Sequence, residues 1–212
     1  MTAVVHAHSE AVVPFSVTSV PLKPVFHMGG VTGAHVPVWD VAEHYTSADA
    51  RHDLLVGNAR LGASLAAAMD PGPAGVLGKT RSLIQNIYSR PAEHAPSFPA
   101  HPVVLMRGHG FSAVGRGVEE VVYRAVFTCV NARLQSAAVA LQAGFNVGLV
   151  GEQVAGISVK EGNGMAPGSK AQGVKYLSER ECADAWEANA TQVARPWRMW
   201  VAEVERLSLI HI

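Results

Sequence analysis

The chain carries no surplus of charge: its 17 Lys and Arg are balanced by 17 Asp and Glu. That balance removes the electrostatic footprint of a nucleic-acid binder and leaves no polybasic patch for a membrane surface. Small neutral or locally recognised ligands are the expected partners. Cysteine is scarce. Cys129 and Cys182 are the only two, too few for a disulfide framework, and both fall in stretches that read as helix, so they are expected as core or half-buried thiols in a reducing compartment. No apolar run approaches the ~20 residues of a membrane span, and no basic start followed by an apolar segment opens the chain, so neither insertion nor secretion is indicated. There is no internal repeat. Asn189-Ala190-Thr191 matches a glycosylation acceptor, but in a helical segment it reads as coincidence. What the chain has in quantity is apolar residues, 49% of 212, enough for one ordinary domain with its own core.

Against that background the histidines stand out, and first among them the stretch Val4-Val5-His6-Ala7-His8-Ser9. If the β-branched pair leads a strand, His6 and His8 project from the same face, because side chains alternate with period two. Two adjacent imidazoles can hold a metal ion. The same spacing also fits a polar surface stripe, and a metal site needs a third or fourth ligand.

Further along, Val12, Val13 and Phe15 give a short helix from Ser9-Glu10 an inner face before Pro21 and Pro24 break it. A loop with Gly29-Gly30 follows, and Val36-Pro37-Val38-Trp39 reads as a short edge strand, since proline costs a ladder bond. Thr46 or Ser47 is expected to cap a helix with Asp49 in its first turn and Leu54, Leu61, Leu65 and Ala68 at helical spacing. Residues 70–102, rich in Pro, Gly and Ser, read as a surface insertion. His27 and His35 read as loop or packing histidines, without spaced partners, and His94 and His101 as solvated loop histidines.

Val103-Val104-Leu105-Met106 is a continuous apolar run, as in a strand covered on both faces. It leads into Arg107-Gly108-His109-Gly110, where glycines let the backbone bend and approach something closely. His109 is therefore the best candidate for a third ligand, although a structural turn explains the Gly-His-Gly spacing equally well. A long helix is expected from Gly117 to Gly144, with Glu119 and Glu120 in its first turn and a stripe through Val122, Val126, Cys129 or Val130, Leu134, Ala137 and Leu141. Residues 162–173 read as a Gly/Ser/Lys linker without phosphate-loop spacing. A C-terminal helix over 176–206 is expected to start from a Ser178–Glu181 capping box, to carry a stripe including Cys182, Trp186, Trp197 and Trp200 in a core or subunit interface, and to kink at Pro196. Leu207 to Ile212 fits no pattern.

The strand ending in His-Ala-His-Ser, the segment Pro-Val-Val-Leu-Met-Arg-Gly-His-Gly-Phe-Ser-Ala-Val-Gly and the helix opening Val118-Glu119-Glu120, in that order, resemble the class II aldolase/adducin family over roughly Val4 to Gly144. The resemblance implies an α/β fold, three-layer α/β/α with a mainly antiparallel central sheet, in a single domain. It implies a divalent metal, most often Zn(2+) or else Mn(2+), held by His6, His8 and His109. It further implies a cytoplasmic homotetramer in carbohydrate metabolism, a lyase that cleaves a small sugar or sugar phosphate through an enediolate. Members also carry a segment before His-x-His that supplies a glycine-rich turn, a Ser-Gly phosphate-binding stretch and an acidic residue. The chain is thus expected to be N-terminally incomplete, with no residue assigned as general base; Glu10 is the acidic group nearest the histidines in sequence. The alternative is a catalytically inactive adducin-like interaction module, against which retention of all three histidines speaks.

Overall fold

Two adjoining runs build the centre of the molecule. Val103–Met106 and Gly110–Gly115 are buried at every position, and a strand can be apolar throughout only when both its faces are covered. A computed structural model of the chain describes residues 3–70, 98–155 and 173–207. In it four strands form one sheet: β1 (Ala3–Ala7), β2 (Val38–Trp39), β3 (Val103–Met106) and β4 (Gly110–Gly115), in the order β1-β4-β3-β2. β4 pairs antiparallel with both β1 and β3, whereas β2 runs parallel to β3. The fold is α/β, and the sheet is mixed rather than mainly antiparallel: the chain crosses over between β2 and β3 instead of turning back on itself. β2 is an edge strand that begins directly after Pro37.

Helices cover both faces. On one, Val103, Leu105, Phe111 and Ala113 pack with Val12 and Phe15 of α1 (Val13–Val17 with its entry turn) and with Val121, Ala125 and Ala132 of α3 (Val118–Ala155). On the other, Val104, Met106 and Val114 meet Trp39, and Leu61 and Met69 of α2 (Ala59–Met69). Ala3, Val5 and Ala7 of β1 lie on the first face; by alternation His6 projects from the opposite one.

Several expectations are corrected. α2 starts at Ala59 under an Asn58 cap whose side chain accepts from Leu61 N–H, not at Thr46 or Ser47. Thr46 instead donates from its backbone N–H and its hydroxyl to Asp49, local bonds that compete with helix formation. α3 runs through Gly144 to Ala155. Its buried face is not the apolar stripe, since Leu134 and Leu141 are exposed, but the row Val121, Ala125, Thr128, Asn131, Ala132 and Gln135. The polar members are there because extended segment 21–25 lies along the helix. The Asn131 amide bonds Val25 N–H and Lys23 C=O, and Gln135 bonds Lys23 N–H and Pro21 C=O, at 2.8–2.9 Å, so buried backbone groups find partners outside any sheet.

The 3₁₀ segment His27–Thr32 packs tightly on α3: a Cβ at Gly29 would lie 2.4 Å from Asn131 Oδ1. The C-terminal part is two helices, α4 (Glu179–Ala190) and α5 (Ala194–Arg206), broken at Thr191–Val193, with Pro196 early in α5 rather than kinking one long helix. The Ser178–Glu181 capping box is present. Cys182 is buried and Cys129 half-buried, both unbridged. Residues 71–97, with His94, most of the expected insertion, and 156–172, with most of the expected linker, lie outside the described residues, as do 208–212. Among the described residues no helix is long and apolar enough to cross a membrane.

Candidate metal centre

The pairing of β1 with β4 brings the two histidine segments together. Ala7 pairs with Phe111, so one step further along the two chains His8 comes level with the turn that carries His109. The imidazoles of His6, His8 and His109 then face one another with ring centroids 4.8, 4.9 and 4.6 Å apart. One nitrogen from each ring lies within 4.8 Å of the others. Among the described residues no other three His, Cys, Asp or Glu converge in this way. Glu10 is exposed and outside the cluster.

Backbone carbonyls orient two of the rings. His6 Nδ1–H donates to Phe111 C=O at 3.0 Å, and His109 Nδ1–H donates to Leu54 C=O at 2.9 Å. A carbonyl can only accept, so both rings carry a proton on Nδ1, which leaves Nε2 as the nitrogen each turns into the cluster. Nε2 of His8 and Nε2 of His109 are 2.8 Å apart, which makes His8 the donor of that bond. In a tetrahedral set with nitrogen–metal distances near 2.0–2.1 Å the nitrogens are about 3.3 Å apart, so the pair parts by roughly half an ångström to admit an ion. The donor set fits a borderline metal such as zinc: three neutral imidazoles, two of them fixed from behind by carbonyls. Partial desolvation of its ring, and then the neighbouring imidazoles of His109 and His8, hold His6 below the usual histidine pKa, which favours the neutral form that can ligate. His6 and His8 are solvent-exposed, so one side of the cluster is open to a ligand.

The turn beneath His109 is built for close approach. Gly108 has φ +65°, a left-handed conformation, and its N–H donates to Ser16 Oγ at 3.0 Å, while the Ser16 hydroxyl donates to Val13 C=O. Arg107 is tied to β2 by its N–H to Trp39 C=O at 3.0 Å and by an ion pair with Asp40. Leu54 has φ +65°, rare for a residue with a branched side chain, and such a conformation costs about 1 kcal/mol or more.

The sequence pattern pointed to all three histidines but not to Leu54, Phe111 or Ser16. Leu54 and Phe111 act through backbone carbonyls, which leave no mark in residue type. His27 accepts from the Asn189 amide at 3.2 Å, and His35 and His101 stack edge to face at 5.3 Å, away from the cluster.

A mixed sheet with helices on both faces and three imidazoles at one end of an antiparallel strand pair defines a class of α/β protein. Residues 1–136 match the Class II Aldolase and Adducin N-terminal domain, and the chain belongs to that family. It is 36% identical over 203 residues to the decarboxylase tropJ of Talaromyces stipitatus, covering 96% of this chain and 61% of that protein. The chain thus spans about three-fifths of the length of the curated relative it matches. Among solved structures it is similar to YgbL of Klebsiella pneumoniae, at 15% identity and a TM-score of 0.42, over 86% of this chain and 56% of that one.

Proposed function

We propose that the chain is the metal-binding part of a lyase that breaks a carbon–carbon bond beside an oxygen-bearing carbon. The observation that carries this reading is the convergence of His6, His8 and His109 from segments about a hundred residues apart, within a stretch that belongs to a lyase-containing family. A divalent ion bound there, zinc or else manganese, would supply Lewis-acid stabilisation of negative charge developing on a substrate oxygen. The chain's own residues supply the rest. Phe111 C=O and Leu54 C=O fix the tautomers of two ligands, and the exposed side of His6 and His8 leaves room for a small substrate with two neighbouring oxygens. Because the 36% identical relative is a decarboxylase, loss of carbon dioxide from a hydroxy or oxo acid is the first reaction to assay. Retro-aldol cleavage of a small sugar or sugar phosphate is the second. The fold itself does not select between them.

The test is metal analysis of the purified chain followed by assay of both substrate classes. About one zinc or manganese ion per chain is expected, with His109→Ala lowering affinity by more than the ~10- to 100-fold typical of losing an outer-shell partner. Metal content that is negligible in the parent, or unchanged in His109→Ala, overturns the reading in favour of a non-catalytic interaction module.

A further inference from the structure

The 45–58 segment forms no helix or strand, yet it reaches the candidate centre through the Leu54 carbonyl, which accepts from His109 Nδ1–H at 2.9 Å. That carbonyl belongs to a residue in the left-handed region, φ +65°, which a leucine does not adopt unless its surroundings impose it. The constraint comes from the other side of the same residue. Leu54 N–H donates to the Tyr45 hydroxyl at 2.9 Å, so both polar groups of Leu54 are held at once, one by Tyr45 and one by His109.

Tyr45 is itself fixed. Its ring stacks on His52 at 4.2 Å with 8° between the planes, and it packs with Leu54, Val56 and Leu65 against the core under β3. The ends of the segment are pinned by Asp49, which accepts from Thr46, from Asn58 at 3.0 Å and from Arg60, while Arg60 also donates to His44 C=O. The leucine side chain also lies beside Gly108 in the turn that carries His109: a Cβ added there would sit 3.4 Å from Leu54 Cδ1, at van der Waals distance.

We infer that Tyr45 is a positioning residue, whose hydroxyl holds Leu54 in its left-handed conformation and thereby fixes His109 as the Nδ1–H tautomer with Nε2 turned toward His6 and His8. The metal arm of this inference rests on the three-histidine reading above; the tautomer arm does not. Tyr45 acts through the Leu54 backbone, and the hydroxyl is the only group that Tyr45→Phe removes. The ring, its stack on His52 and its core contacts stay.

Two measurements on the full chain test it. In metal-free protein, long-range ¹H–¹⁵N spectra of the imidazoles are expected to show His109 almost wholly as the Nδ1–H tautomer, and Tyr45→Phe is expected to move it substantially toward Nε2–H. In cobalt titrations Tyr45→Phe is expected to weaken Co(II) binding about tenfold, the order of losing an outer-shell partner, and to alter the visible d–d bands. The melting temperature of the metal-free variant, expected to be near that of the parent, separates this from general destabilisation. A Tyr45→Phe protein with parental His109 tautomer, Co(II) affinity and spectrum overturns the inference. A parent that binds no Co(II) but shows the tautomer shift overturns the metal reading and leaves Tyr45 as the device that orients His109.

Discussion

At Gly110 the backbone of β4 passes so close to β1 that an added Cβ would lie 2.1 Å from Ala7 C=O and 3.1 Å from His8 Cα. Both neighbours are backbone, so neither can swing aside as a flexible side chain would. Gly110→Ala is expected to push β1 outward, costing about 3 kcal/mol by the scale of overpacked sites, and to lower metal affinity in the same variant, because His6 and His8 ride on that strand. Urea unfolding and cobalt titration measure the two effects; a variant within about 0.5 kcal/mol of the parent, the range of neutral surface changes, shows that the strands do not meet this closely. At this scale the sequence was informative about the side chains that converge. The spacing in His6-Ala7-His8 and the glycines around His109 are side-chain and backbone signals written in residue type. The carbonyls of Leu54 and Phe111 carry no such signal, since every residue has one.

Among the elements, periodicity and structure differ most between Tyr45 and Met69. Leu54, Leu61, Leu65 and Ala68 share a helical spacing, and periodicity alone extends the helix back to Thr46. The structure starts it at Ala59, because Asp49 gathers Thr46, Asn58 and Arg60 around one carboxylate and offers the backbone a non-helical alternative. The Thr46 backbone N–H, with Thr46 Oγ1, Arg60 and Asn58, lowers the Asp49 pKa to about 2. A depressed carboxylate pKa contributes stability in full above the unfolded value and loses it as pH falls through the folded one. The loop is therefore expected to stay pinned at pH 4 and to loosen only toward pH 2. The Thr46 amide resonance in an acid titration reports this directly: a midpoint near 2 is expected, and one near the unperturbed carboxylate value of about 4 shows an unbonded Asp49. Along α3 the apolar stripe likewise misled, because Asn131 and Gln135 face inward to serve the backbone of segment 21–25. A remote strand of chain made them core residues.

Across the whole molecule, the candidate centre sits at one end of the antiparallel β1–β4 pairing and joins segments about a hundred residues apart, so metal binding and folding should be linked. An ion that binds the folded chain and not the unfolded one stabilises by about 2.7 kcal/mol at a hundred times Kd, which for a chain of this size raises the melting temperature by about 5–10 °C. Thermal unfolding with and without Zn(II) or Co(II) checks this, with His8→Ala expected to abolish most of the shift; equal shifts in the two proteins place the ion elsewhere. Family membership was legible before any fold, from two histidine motifs in a fixed order within residues now matched to the class II aldolase and adducin domain. By itself the sequence determined the buried strand Val103–Met106, the identities of the three histidines and the Ser178 cap, because each rests on local chemistry, on a continuous apolar run or on a period of two. Tertiary structure alone decided that β2 lies parallel to β3, which face of α3 is buried, and how the imidazoles are oriented. Those depend on backbone groups from distant segments finding one another, and the hydrogen bonds they form are the same whatever side chains stand above them.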